Sequence, residues 1–205
     1  MCAIVGSFSK ETTIALFELN SYRGEISTSI SSFNTNSELQ QLNKYSGKFE
    51  KEYLDNHIDG MFYIGHAQAP TTNTNNIHPS EIEDVLLWHN GIIKQNNLDK
   101  NVWDTEWLLQ RIITEGWSVL SVIDGSFACV LYRKNKLYLF RNEICPLFIN
   151  NKMDISSTKF ANSESLEPNT VFEVDLTDRT IHSIESFLTK ENPYFFWSNC
   201  DGDMS

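Results

Sequence analysis

The chain has 205 residues, which suits one domain or one domain with a tail. Hydrophobic residues make up 40% and charged residues 21%, a balance typical of a globular core rather than of a disordered chain. The net charge of −11 argues against a nucleic-acid surface, because phosphate contacts need clustered Lys and Arg, and no apolar run is long enough for a membrane span.

The first quarter of the chain begins with a predicted strand and a predicted helix. Ala3–Phe8 is mostly apolar, which predicts a buried strand, and the apolar residues within 12–22 predict a helix packed on that strand. The following segment, Ser31–Glu52, is rich in Asn, Ser, Gln and Lys. This composition predicts surface structure with short helical turns.

Strands, a loop and a second helix are predicted for the middle of the chain. Met61–His66 and Val85–His89 predict strands, and Pro70–Ser80 between them predicts a loop because it is rich in Pro, Asn and Thr. Asp104–Glu115 has the apolar spacing of a helix. Gly116 directly after it is a helix stop signal.

The last part of the chain predicts two hairpins, each formed by two apolar strands around a short polar turn. The strand pairs are Ser126–Tyr132 with Lys136–Phe140, and Val171–Leu176 with Thr180–Ile184. Residues 191–205 are predicted to be a loose C-terminal tail. This leaves 2–190 as one domain that mixes helices and sheets.

The positions of cysteine and histidine argue against metal and disulfide chemistry. The cysteines are scattered, with no Cys-x-x-Cys pair, at Cys2, Cys129, Cys145 and Cys200. Neither a zinc site nor a disulfide framework is indicated. No histidine pair has helical metal-ligand spacing, and packing or hydrogen bonding is expected for His66, His78 and His89. We expect no metal, no cofactor and, without a secretory signal, a cytoplasmic location.

Cys2 is the most informative residue of the chain. Removal of Met1 would place a free α-amine, which titrates near ~7.7–8.0, on the residue that carries a thiol of ordinary pKa about 8.5. One residue could then supply both the nucleophile and the base, as in N-terminal-nucleophile catalysis. The alternative is that a small residue at position 2 merely favours removal of Met1.

A series of short motifs follows Cys2 along the chain. In order, they are Met1-Cys2-Ala3-Ile4-Val5-Gly6, Tyr22-Arg23-Gly24, Gly65-His66-Ala67-Gln68-Ala69-Pro70-Thr71, His78-Pro79, His89-Asn90-Gly91, Asp104-Thr105-Glu106, Asp124-Gly125-Ser126-Phe127-Ala128 and Arg141-Asn142. Their joint order resembles the class II glutamine amidotransferase domain, the glutaminase of asparagine synthetase, amidophosphoribosyltransferase and glucosamine-6-phosphate synthase. The resemblance implies an α+β fold, the four-layer αββα sandwich of the N-terminal-nucleophile (Ntn) hydrolases with two antiparallel sheets.

The resemblance implies an enzyme that hydrolyses L-glutamine to glutamate and ammonia. Cys2 corresponds to the nucleophile, which forms a γ-glutamyl thioester. Asn90 and Gly91 correspond to the oxyanion-hole donors that acyl transfer requires. From the residues alone, Asn90-Gly91 favours a type I′ hairpin turn, and such a turn could itself present the donors.

The resemblance also implies a set of substrate-binding residues. Asp104 corresponds to the carboxylate that pairs with the substrate α-ammonium, with a helix N-cap as its alternative role. Arg23 corresponds to an arginine that lines the site, with a surface position as its alternative. Gln68 stands where one branch of the family has an arginine that clamps the substrate α-carboxylate. Thr71, Thr72 and Arg23 are therefore the candidates to replace that charge.

Three functions remain open at this point. The first is a glutaminase subunit that passes ammonia to a separate ATP-dependent synthetase, because the chain after about residue 175 is expected to be too short for a synthetase domain. The second, favoured by Gln68, is an Ntn amidohydrolase that acts on another amide. The third is a catalytically weak regulatory or binding relative, against which the presence of Cys2, Asn90, Gly91 and Asp104 counts. No nucleic-acid or membrane partner is expected.

Overall fold

The computed structural model describes residues 2–57, 59–69, 76–94 and 102–189. Within these ranges the helices are α1 (Lys10–Leu19), α2 (Glu52–Asp55), α3 (Asp104–Glu115) and a 3-10 helix at Gly116–Val122. The strands are β1 (Ala3–Ser7), β2 (Ser27–Phe33), β3 (Leu39–Ser46), β4 (Phe62–Gln68), β5 (Ser80–Ile82), β6 (Val85–Ile93), β7 (Gly125–Arg133), β8 (Lys136–Arg141), β9 (Phe148–Ile149), β10 (Ile155–Ser156), β11 (Glu164–Ser165), β12 (Thr170–Asp175) and β13 (Thr180–Ser186).

The strands form two sheets. The first has seven strands in the order β11-β9-β10-β1-β4-β2-β3, and the second has six in the order β13-β12-β8-β7-β6-β5. All strand pairs in the described ranges are antiparallel. The α+β class with two antiparallel sheets is therefore confirmed.

The space between the two sheets holds the main core of the domain. Because side chains alternate between the faces of a strand, the even-numbered residues of β1 and β4 point inward. Ile4 and Ile64 of the first sheet pack here with Trp88 and Val130 of the second. Cys2 directly precedes β1 and shares the parity of Ile4, so its side chain belongs to this inter-sheet face.

Helices cover the outer face of each sheet. Val5 of β1 packs with Leu16 and Phe17 of α1 on one side, in a cluster separate from the inter-sheet core. On the other side, Leu87 of β6 packs with Leu108 of α3. The layers therefore follow the order helix, sheet, sheet, helix, which confirms the expected αββα sandwich. No helix in the described ranges combines the length and apolar character needed to cross a membrane.

Helix boundaries follow local capping signals. The structure begins α1 at Lys10, two residues before the predicted start, because the Ser9 hydroxyl accepts a hydrogen bond from the Thr12 N–H at 3.1 Å and caps the helix. The predicted bounds of α3 agree with the structure. Gly116 ends that helix at φ +70°, a conformation that favours glycine.

The prediction of short helical turns is wrong for half of 31–52, because Ser31–Phe33 belongs to β2 and Leu39–Ser46 to β3. The predicted surface position is confirmed for β3, which has no buried residue. All seven residues of β2 are buried. Four of them are serines, which hide the strand pattern because they read as polar in the sequence. Ser29 and Ser31 lie opposite the inward-facing His66 and Ile64 of β4, and their small side chains fit the inter-sheet space. Ser32 lies opposite Tyr63, which belongs to the cluster on the outer face. Residues 70–75 of the predicted loop and the tail at 191–205 lie outside the described ranges.

Candidate active site

Cys2 directly precedes β1, the strand between β4 and β10 in the first sheet. Its side chain is 5% exposed, and the Ala69 N–H donates a hydrogen bond to Sγ at 3.4 Å. Burial raises the pKa of the Cys2 thiol, and the charge of Asp104 acts in the same direction. The Ala69 N–H and the Arg23 guanidinium oppose the rise. The resting group is therefore a thiol, and a base must take its proton before it can attack.

Arg23 is buried beside Cys2, so the surface alternative is wrong. Its Nε–H donates to the Cys2 carbonyl oxygen at 3.0 Å. Its Nη2 is buried and has no hydrogen-bond partner in the part of the chain that the structure describes. The neighbouring Gly24 makes this position possible, because a Cβ at Gly24 would lie 2.5 Å from the carbonyl carbon of Ala67. Arg23 thus brings an unsatisfied cationic donor to the site.

Asn90 and Gly91 lie inside β6, so the hairpin-turn interpretation is wrong. They pair with Ala128 and Phe127 of β7. Gly91 has φ +142°, and a Cβ there would lie 1.9 Å from the carbonyl oxygen of Ser126. The glycine is required by the close approach of two neighbouring strands rather than by a turn.

The Asn90 side chain is linked to β1 through Ser157. It is fully buried, and its Nδ2 donates to Ser157 Oγ at 3.3 Å. The same Oγ accepts a hydrogen bond from the Ile4 N–H at 2.9 Å. Asn90 Oδ1 is buried without a partner among the described residues. A single serine thus connects the amide of Asn90 to the backbone two residues after Cys2.

Asp104 is the first residue of α3 and not its N-cap. The N-cap is Trp103, which makes no side-chain capping bond, so the capping alternative is wrong. Asp104 Oδ2 instead accepts a hydrogen bond from the Ile93 N–H at 3.2 Å. Its charge contributes to the raised pKa of Cys2, so the carboxylate acts electrostatically on the thiol. Arg23 thus contacts the backbone of Cys2, and Asp104 is near enough for its charge to raise the pKa of the Cys2 thiol.

Gln68 ends β4 and is buried, but it adds no charge to the site. Its Oε1 accepts a hydrogen bond from the Ser27 hydroxyl at 2.7 Å. Thr71 and Thr72, predicted to compensate for the missing charge, lie outside the described ranges. Of the three candidates for this task, Arg23 belongs to the described residues and lies beside Cys2.

Three buried histidines form a network that reaches Asp104 through Thr105, and the sequence alone assigns them no role in the site. The rings of His66 and His78 stack with their centres 3.9 Å apart. His66 Nε2 lies 3.1 Å from the His89 carbonyl oxygen. His78 Nε2 and His89 Nδ1 lie 3.1 and 3.2 Å from the hydroxyl oxygen of Thr105, which is itself 3.4 Å from Asp104 Oδ1. The expectation of packing and hydrogen bonding is confirmed for all three rings.

The three histidines make folding sensitive to acid. Burial lowers the pKa of His66 to about 3 and lowers those of His78 and His89 from their usual value. Below about pH 6.5 the three histidines bind protons in the unfolded chain but not in the folded protein. The free energy of unfolding therefore falls as the pH falls. Each ring contributes up to about 1.4 kcal/mol per pH unit.

We therefore expect the urea midpoint of unfolding to drop steeply between pH 7 and pH 5. Acidic side chains with lowered pKa values act only below this interval, near and under their ordinary values of about 4. The exposed His182 provides the control, since His182→Gln should leave the slope unchanged. A midpoint that stays flat from pH 7 to pH 5 would contradict the prediction.

The fold is also found in solved structures of amidotransferases. A structure of glutamine phosphoribosylpyrophosphate (PRPP) amidotransferase from B. subtilis, complexed with ADP and GMP, matches with a TM-score of 0.62 and 15% identity over 90% of this chain and 49% of that chain. A structure of the allosteric regulatory enzyme of purine biosynthesis matches with a TM-score of 0.59 and 16% identity, with the same two coverages.

The chain spans about half the length of the two structures that it matches. No protein-family model matches the chain, and no curated protein matches it. The first of these structures is of a PRPP amidotransferase, an enzyme that carries the class II glutamine amidotransferase domain. The chain has the fold of that domain, the two-sheet Ntn sandwich.

Proposed function

We propose that the protein is a glutaminase that releases ammonia from L-glutamine through Cys2 after removal of Met1. The observation that carries the proposal is the surroundings of Cys2 within this fold. The thiol is held by the Ala69 N–H, its backbone carbonyl is held by Arg23, and the charge of Asp104 acts on it. This grouping supports a nucleophile with a charged substrate site beside it.

The raised pKa of the Cys2 thiol makes a nearby base necessary. An α-amine on Cys2 itself meets this need, because its ordinary pKa of about 7.7–8.0 leaves part of it unprotonated near neutral pH. If Met1 is retained, this nitrogen is an amide, which has no basicity. In the proposed step the thiol proton moves to the amine and the Cys2 sulfur bonds to the carboxamide carbon.

Collapse of the tetrahedral intermediate breaks the carbon–nitrogen bond, and the proton passes from the amine to the departing ammonia. Water then attacks the γ-glutamyl thioester, which releases glutamate and returns the proton to the thiol. The attack of the thiol and the later attack of water each give a tetrahedral intermediate, whose oxyanion needs fixed N–H donors. We assign this role to the Asn90 side chain and the N–H of the next residue, Gly91, both of which belong to β6.

The charges beside Cys2 suit an α-amino acid. Asp104 is proposed to bind the α-ammonium group. For the α-carboxylate, the unpartnered Nη2 of buried Arg23 supports that residue as the group that replaces the charge absent at Gln68. A guanidinium suits a carboxylate because both are planar and the hydrogen bonds are charge-assisted.

The ammonia is proposed to serve a separate ATP-dependent synthetase in the cytoplasm. In both matched structures the shared fold accounts for 49% of the chain, so there it operates beside a further part of the protein. This supports a partner that uses the product. Co-purification of a synthetase with the protein, and an increase of glutaminase turnover in its presence, would test the partnership.

A second candidate function is hydrolysis of a different amide by the same thiol. Gln68 favours it, because this side chain is neutral and its oxygen is already bonded to Ser27. A substrate without a free α-carboxylate would need no clamp there. The two candidates differ in whether activity depends on the charged ends of glutamine.

Asp104→Asn distinguishes them. We expect kcat/KM for L-glutamine to fall about 10–100-fold, which matches the loss of a charge-assisted bond of about 1.5–3 kcal/mol. An N-acylated glutamine has no ammonium group, so its kcat/KM should change little. Glu106→Gln removes an exposed charge from the same helical turn and serves as the matched control.

Three outcomes bear on the assignment. A selective loss for L-glutamine supports the ammonium role of Asp104. An equal loss for both substrates would assign Asp104 a structural role, through its bond to Ile93. A wild-type protein that hydrolyses other amides and not L-glutamine would favour the second candidate.

A further inference from the structure

We propose that the Thr105 hydroxyl is a positioning group, which His78 and His89 hold in the orientation that fixes the Asp104 carboxylate toward the substrate ammonium. The inference rests on the proposed function, in which Asp104 binds that ammonium. It adds three residues to the substrate site that do not touch the substrate themselves.

The number of available hydrogens determines how this network is connected. A threonine hydroxyl has one hydrogen and two acceptor lone pairs. Thr105 Oγ1 has three polar neighbours: Asp104 Oδ1 at 3.4 Å, His78 Nε2 at 3.1 Å and His89 Nδ1 at 3.2 Å. An ionised carboxylate only accepts, so the hydroxyl hydrogen must point to Asp104 for that bond to form. Both imidazole nitrogens must then donate to the hydroxyl oxygen.

The His78 ring fits the donor role that this arrangement assigns to it. Its Nδ1 is buried without a partner among the described residues. If Nδ1 carried the hydrogen, a buried N–H would lack an acceptor and Nε2 could not donate to Thr105. With the hydrogen on Nε2, the ring keeps its bond to Thr105. The ring also stacks on His66 and makes a T-shaped contact with Trp103, with the ring centres 4.8 Å apart.

Either ring nitrogen of His89 can carry the hydrogen, and a bond from Thr105 to Asp104 requires it on Nδ1. Its Nε2 lies 3.5 Å from the Ser126 carbonyl oxygen, at the outer limit for a hydrogen bond, whereas its Nδ1 lies 3.2 Å from Thr105. Donation from Nδ1 leaves the Thr105 hydrogen free for Asp104. Donation from Nε2 would instead make Nδ1 an acceptor and turn the hydroxyl hydrogen away from the carboxylate.

The consequence for Asp104 is that both of its oxygens are held. Oδ2 accepts from the Ile93 N–H at 3.2 Å, and Oδ1 faces the Thr105 hydroxyl at 3.4 Å, which is longer than the usual O–H···O distance of about 2.5–3.0 Å. The terminal torsion of an aspartate is otherwise broad, so a carboxylate with one bond would rotate. Each oxygen keeps a second lone pair for the substrate. The network therefore fixes the plane of the carboxylate and leaves one lone pair on each oxygen free for the substrate ammonium.

The test removes the hydroxyl without changing the shape of the side chain. Thr105→Val should raise the KM for L-glutamine about tenfold, or about 1.4 kcal/mol, while kcat changes by less than about threefold. The ammonium group is remote from the reacting amide, so binding should suffer more than chemistry. The KM of an N-acylated glutamine should stay unchanged, and Thr105→Ser should restore most of the affinity for L-glutamine.

Thr13→Val is the matched control for burial. Thr13 is fully buried in the first turn of α1, and its hydroxyl donates to the Ser9 carbonyl oxygen at 2.8 Å. Both valine variants should lose thermal stability, but Thr13→Val should leave KM unchanged. Nitrogen NMR of the imidazoles adds a readout that is independent of activity. It should place hydrogens on His78 Nε2 and His89 Nδ1 in the wild type, and these signals should shift in Thr105→Val.

Several results would overturn the inference. It fails alone if the wild type hydrolyses L-glutamine and Thr105→Val leaves KM unchanged, or if Thr105→Ser is as impaired as Thr105→Val. If the wild type neither binds nor hydrolyses L-glutamine, the proposed function fails and takes the inference with it. Should Thr105→Val not fold, His89→Asn keeps a donor near Nδ1 and His89→Gln places one near Nε2. The glutamine variant should then have the higher KM, and equal values would overturn the proposal.

Discussion

Cys2→Ala is expected to show no glutamine hydrolysis while it keeps the fold. The variant loses both the sulfur that attacks the substrate and the thioester intermediate, so residual turnover should not exceed background. The fold should survive because the substitution removes one sulfur atom, whereas the strand at Ala3–Ser7 keeps its pairing on both sides. Ammonia release measures the activity, and thermal unfolding monitored by circular dichroism measures the fold.

Cys129→Ala is the matched control, because Cys129 is a fully buried thiol in the second sheet. It should keep turnover while losing similar stability. Intact mass identifies whether Met1 is present, and a form that retains Met1 should be as inactive as Cys2→Ala, since it has no α-amine on Cys2. Turnover by either of these forms at the wild-type rate would refute the mechanism.

Asn90→Ala is expected to lower kcat about 10²–10³-fold, the usual effect of losing one oxyanion donor. The resting bond from Asn90 Nδ2 to Ser157 Oγ is 3.3 Å long, beyond the common range for an N–H donor, so exchange for an oxyanion costs little. The KM for L-glutamine should change much less than kcat, because the donor acts on charge that develops in the transition state.

The control for this variant is Asn20→Ala. Asn20 is also fully buried, and its Nδ2 donates to the Leu16 carbonyl oxygen and to Ser156 Oγ, both at 2.8 Å. It should lower the melting temperature without a selective loss of kcat. If Asn90→Ala raises KM and leaves kcat intact, Asn90 has a structural role in β6 and the oxyanion assignment is wrong.

Much of the fold follows from local sequence patterns. Asp104–Glu115 could be predicted to its last residue because an apolar period and a terminal glycine both mark it. The hairpin around Lys134 and Asn135 could also be predicted, because a short polar segment separates two apolar strands. In the structure both turn residues adopt positive φ. The strand at Ser27–Phe33 was missed because its burial depends on the neighbours that the sheet supplies. Serine carries no signal for that.

The candidate site could be predicted from the sequence less completely than the fold. The Asn90-Gly91 dipeptide suggested a turn, yet in the structure Gly91 serves the close approach of Ser126 in the neighbouring strand. A local pattern does not separate the two, because both need a residue without Cβ. The network around Thr105 had no sequence signal. Its members come from a strand, a loop and a helix, and neither their spacing nor their composition marks them as neighbours.

The position of the strand that follows Cys2 has a consequence for the timing of synthesis. The strand at Ala3–Ser7 lies between Phe62–Gln68 and Ile155–Ser156, so one neighbour is made early and the other late. At about 5–20 residues per second, residue 156 is added roughly 8–30 s after residue 2. Val5 and Gly6 pair with Ser156 and Ile155, so this strand lacks one of its two neighbours until most of the chain has been made. We therefore expect processing of the N-terminus to occur within this interval.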